Sequence, residues 1–102
     1  MTGSSVRTIY LPWYSRADYA TIRSAVTDPH SLAPTYELWL MAAQNNELVA
    51  QQAGLQVVRV AVPPDEFTQW CAECGLAPDS RARTAFAQEK GQGRPPASTE
   101  EA

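Results

Sequence analysis

The only two cysteines of the chain sit three apart behind a tryptophan, in Trp70-Cys71-Ala72-Glu73-Cys74-Gly75. That spacing can serve a dithiol redox pair, two ligands of a metal site, or one packed face of a helix. Position decides among these, because a thiol becomes a thiolate near neutral pH mainly at a helix N-terminus or beside cations. A zinc site needs about four ligands. One subunit offers Cys71, Cys74 and the single histidine, His30. This set is incomplete unless two copies of the cysteine pair meet across a dimer axis.

The flanking residues place the pair inside a helix. Leu55 to Val62 reads as a strand, and Pro63-Pro64-Asp65-Glu66 then opens a helix, with proline in the first turn and acids at its positive end. Phe67, Trp70, Cys71 and Cys74 follow at i, i+3, i+4 and i+7, and Gly75 closes the helix. Trp70 to Cys74 resembles a thioredoxin-like segment over five residues. In such a site, however, the first cysteine opens the helix directly after a strand. Here Cys71 falls about two turns inside it, Cys74 lies at its negatively polarised end, and Glu66 and Glu73 oppose a thiolate. Both cysteines are therefore expected to be packed and inert, with no catalytic residue, metal or cofactor assigned. A thiol redox role for Cys71 and Cys74 is the alternative. His30 follows Pro29 in a loop and reads as an exposed side chain.

A second concentration of chemistry is Leu11-Pro12-Trp13-Tyr14-Ser15-Arg16. Aromatic residues and arginine are the types enriched in binding hot spots, and strand C-terminal junctions are where open α/β sheets place ligands. Trp13, Tyr14 and Arg16 are the candidate binding residues. The competing reading is that the two rings cap a small core with their polar tips outside.

The elements that must position these residues follow from punctuation and periodicity. A strand is predicted over 6–11, ended by Pro12, and a helix over about 16–26, started by Ser15 and Asp18. Two prolines make 27–34 a rigid loop. Thr35 caps a long helix over 36–53, whose apolar face includes Tyr36, Trp39, Leu40, Ala43 and Leu48, with Gly54 as its stop. The strand over 55–62 looks apolar on both sides. A final helix runs from Pro78-Asp79 to about Gln88. The fold class is α/β (α+β), a two-stranded sheet in the order β-α-α-β-α-α packed by helices. One domain spans 1–89, with a disordered polar tail over 90–102. Because two strands make a marginal sheet, a homodimer that extends the sheet is a further expectation; strand direction is left open.

Composition bounds the function. The chain has 102 residues, 44% of them hydrophobic, and 11 acidic against 8 basic residues leave a net charge of −3. With no basic stripe, direct nucleic-acid binding is not expected. No run of about 18 apolar residues would span a bilayer, and the first five residues do not read as a signal peptide, so the expected setting is the cytoplasm.

The Leu-Pro-Trp-Tyr strand end, the Thr35-Tyr36-Glu37-x-Trp39-Leu40 helix start and the Val57-Val58-Arg59-Val60 strand leading to Phe67-x-x-Trp70-Cys71 resemble small bacterial α/β proteins without an assigned activity. The resemblance covers about residues 9–88. It implies one domain of bacterial cytoplasmic or mobile-element origin. The functional expectation is a non-enzymatic interaction or regulatory protein with a protein partner. The alternatives are the thiol redox protein and a phage-type inhibitor that docks an acidic surface on a nucleic-acid-handling machine.

Overall fold

A run of β-branched and aromatic residues forms the first strand, β1 (Thr8–Trp13), which continues through Pro12 to Trp13. Pairing explains why Pro12 does not end it. Gln56 and Val62 donate backbone N–H bonds to the carbonyls of Arg7 and Trp13, so odd-numbered residues of β1 face the neighbouring strand. Pro12 belongs to the outward set and removes no ladder bond. A computed structural model of the chain describes residues 7–93. The first position of the expected strand and the tail from residue 94 lie outside them.

The partner strand is β2 (Gln56–Ala61), and the two run parallel in the register Thr8↔Gln56 through Trp13↔Ala61. A parallel pair needs a long crossover. It is supplied by α1 (Tyr19–Ala25), a single 3-10 turn (Pro29–Ser31) and α2 (Tyr36–Gln52), before α3 (Pro64–Cys74) and α4 (Ser80–Gly91) complete the chain. The two-stranded α/β sheet and the element order match the expectation. No helix among the described residues is long and apolar enough to cross a membrane.

Local chemistry sets most helix ends. Thr35 Oγ1 accepts the Leu38 N–H at 3.2 Å, and Asp79 Oδ1 accepts the Ala82 N–H at 3.0 Å. Gly75 closes α3 in the left-handed conformation (φ 69°), with Leu76 N–H bonded to Cys71 carbonyl and Gly75 N–H to Ala72 carbonyl. The first helix is shorter than expected. Ser15 Oγ and its carbonyl accept from Asp18 N–H, which closes a turn, and α1 begins only at Tyr19. The last helix is longer, taking in Lys90 and Gly91. A Cβ on Gly91 would meet the Tyr10 ring at 2.2 Å, so glycine permits this close approach of α4 to β1.

Because side chains alternate across a strand, Tyr10 faces α4 while Arg59 reaches Glu47 of α2 on the other side of the sheet. The core, however, is centred beyond the strands. No residue of β1 is fully buried, and in β2 only Val60 is. By contrast Tyr14 and Val62, the residues that leave each strand, are each 2% exposed. They join Ile22 of α1, Phe67, Trp70 and Cys71 of α3 and Phe86 of α4. Phe86 meets Phe67 and Trp70 edge-on, with both ring pairs at 5.5 Å. Leu48, expected on the inner face of α2, is 51% exposed.

Candidate functional site

Trp13 ends β1 on the side of the sheet covered by α2. Its ring meets Trp39 of α2 edge-on at 5.2 Å, and the Arg59 guanidinium lies 4.0 Å over its face. Arg59 is itself held by a two-point ion pair to Glu47, at 2.8 and 2.7 Å. On the far side of Trp39, Tyr36 lies at 5.4 Å, and Arg16 stacks over Tyr36 at 4.8 Å while pairing with Glu37. Arg16, Tyr36, Trp39, Trp13 and Arg59 thus form one continuous stack, with each terminal cation tied to a glutamate of α2. Those glutamates explain the shifts at the ends. Hydrogen bonding to Arg16 and Arg59 holds the Glu37 and Glu47 carboxyls below the usual range and raises the two guanidiniums.

The stack borders an apolar cleft of about 300 Å³ between β1, the 31–33 loop and α2, lined among others by Leu11, Trp13, Leu32, Trp39 and Asn46. Small residues open it, since Ala42 and Ala43 stand where larger side chains of α2 would fill the space. A second cleft of about 440 Å³ lies between α1 and the start of α2, with Arg16, Arg23, Tyr19 and Tyr36 around it.

Tyr14 lies behind this surface, its buried ring 5.0 Å from that of Trp39. It turns inward, and burial pushes its phenol up to about 12 against the opposing effect of the neighbouring Arg83 guanidinium. Arg83 was not legible as a key residue. It is 3% exposed, donates to Asp28 Oδ1 at 3.1 Å and to Ser31 Oγ at 2.9 Å, and Asp28 Oδ2 also accepts the Ser80 N–H. Burial alone would raise the Asp28 carboxyl, but the bonds from Arg83, Ser31 and Ser80 outweigh it and hold the carboxyl below its ordinary range.

The cysteines part company. Cys71 is 2% exposed, and burial, with Cys74 and Asp79 adding, pushes its thiol up. Cys74 is exposed, contrary to the expected packing, because it is the last residue of α3 and the chain turns away at Gly75. His30 is exposed in the 3-10 turn. Among the described residues no group of three or more His, Cys, Asp or Glu side chains could hold a metal.

Two outcomes follow from these environments. A carboxyl depressed by folding contributes stability that is complete above its unfolded pKa, near 3.8, and is lost as the pH falls through its folded one. Asp28→Asn should therefore be less stable than wild type in urea at pH 7, and the gap should narrow from about pH 4 downward; a gap that is constant with pH contradicts this. Alkylation of native protein at about pH 8 should label Cys74 alone, with Cys71 labelled only in denaturant. Rapid native labelling of Cys71 would restore the redox alternative.

No protein-family model, curated protein or solved structure matches this chain.

Proposed function

We propose that this chain is a non-enzymatic interaction protein of the bacterial cytoplasm, which receives an apolar side chain of a partner protein in the cleft beside Trp13. The observation that carries the reading is the fixation of Trp13 on two sides, by Trp39 at its edge and Arg59 over its face, next to an apolar cavity. An aromatic already held in place loses little side-chain freedom on binding, and such preorganised anchors supply much of the affinity of protein interfaces. A volume of about 300 Å³ is at the low end for small-molecule sites. It suits one or two side chains of a peptide better than a metabolite.

Arg16, at the other end of the aromatic stack, borders the second cleft, where it is 65% exposed and paired with Glu37. Exposed charges outside an apolar contact set orientation and association rate more than affinity. The buried Cys71 thiol gives the redox alternative no comparable support.

The test is affinity capture with wild type and Asn46→Arg, which places a long cation in the cleft from an exposed helix position, with Trp13→Ala as a companion. A protein held by wild type and released by both variants, at unchanged melting temperature for Asn46→Arg, supports the reading. An identical captured set from wild type and Asn46→Arg contradicts it.

A further inference from the structure

Five large apolar side chains among the described residues stand at least 44% exposed, and four of them, Leu38, Met41, Leu48 and Val49, belong to α2. Single exposed apolar residues are ordinary. These four are not scattered. At 3.6 residues per turn they fall on one stripe centred on Asn45, with Leu38, Met41, Ala42, Leu48, Val49 and Gln52 at −7, −4, −3, +3, +4 and +7. The helix is therefore apolar on two sides, with Trp39, Leu40 and Ala43 turned to the core and this stripe turned to solvent.

The stripe carries no charge. The two charged residues of α2, Glu37 and Glu47, are both engaged by arginines of other segments. A chain of net charge −3 repels its own copies, and a charge-free face is the place where two copies meet without direct like-charge contact. Asn45 at the centre is self-complementary, since its amide carries both a donor and an acceptor.

We propose that α2 pairs with α2 of a second copy of this chain, antiparallel across a two-fold axis at Asn45. That axis sets Leu48 against Ala42 and Met41 against Val49, large against small, and brings the two Asn45 amides together to exchange hydrogen bonds. The antiparallel sense also opposes the two helix dipoles. The sheet edges are less suited to the same task. On the outer edge of β1 Pro12 has no N–H, and on that of β2 Lys90 Nζ donates to the Ala61 carbonyl at 3.4 Å. The stripe is only about 21 Å long, and a single helix pair buries less than the roughly 800 Å² per partner of a standard interface. The dimer is thus reversible.

Sedimentation equilibrium of the full chain from about 1 to 500 μM should show the mass rise from 11.2 kDa toward twice that value. Met41→Glu and Leu48→Glu should remain monomeric throughout with unchanged circular dichroism; neither residue lines the Trp13 cleft, which adjoins the stripe at Ala42, so partner capture by these monomeric variants reads the cleft separately from the dimer. A constant 11.2 kDa mass overturns the proposal, and so does a dimer that survives Leu48→Glu, which would lie elsewhere, as at the sheet edges. In a Cys74→Ser background, Asn45→Cys should cross-link under copper-phenanthroline oxidation. Leu38→Cys should not, its two copies being about 21 Å apart. Efficient cross-linking through Leu38→Cys overturns the antiparallel axis.

Discussion

The guanidinium of Arg83 is the constraint on which the rest of the molecule depends. A cation this deeply buried is tolerated only when its donors are satisfied by an opposite charge and further acceptors. Asp28 and Ser31 meet that demand from a loop more than fifty residues away in sequence. The same carboxylate accepts the Ser80 N–H at the start of α4, and Thr27 N–H bonds the Pro78 carbonyl beside it. The loop between α1 and α2 is thereby fastened to the start of α4, through an arginine that also neighbours the Tyr14 phenol. Since that loop sets where α2 begins, the position of the aromatic stack follows from a polar contact in the core.

This arrangement makes sense of a two-stranded parallel sheet, which has little stability of its own. The strands align Trp13 and Ala61 in register, and the hydrophobic core forms where the chain leaves them, at Tyr14 and Val62. Trp13 and Tyr14, adjacent in sequence, leave the strand end on opposite sides, yet both rings meet Trp39, at 5.2 and 5.0 Å. Trp13 stays half-buried beside the cleft, whereas Tyr14 is buried in the core. The helix between them and solvent, α2, carries the consequences: its inner side holds Trp39, its two glutamates hold the arginines that brace the stack, and its outer side is left apolar.

Features encoded by neighbouring residues were legible in the sequence. Thr35 and Asp79 mark helix starts through their own side-chain oxygens, and Gly75 marks a stop through its left-handed backbone. Misreadings arose where a distant partner decides. Pro12 resembles a strand terminator until the pairing direction shows that its missing N–H faces outward. Leu48 fits the helical spacing of an inner face, but which side of a helix with two apolar sides is buried depends on the sheet it packs against. Arg83 looks like any polar residue of a surface helix, and nothing local announces Asp28 as its partner. The aromatic stack is half visible in the sequence: Trp13 and Arg16 stand out by type, whereas the link between them runs through Tyr36 and Trp39 of α2, with Tyr14 packed on Trp39 from the core.

The central claim is that Asp28 and Arg83 act as one unit that joins the loop to α4. A double-mutant cycle with Asp28→Asn and Arg83→Met, read by urea denaturation at pH 7, measures this directly. The account predicts a coupling of about 1–3 kcal/mol, with the double variant far less destabilised than the sum of the single changes. Additivity within about 0.5 kcal/mol would contradict it, and the loop would then be held by apolar packing alone.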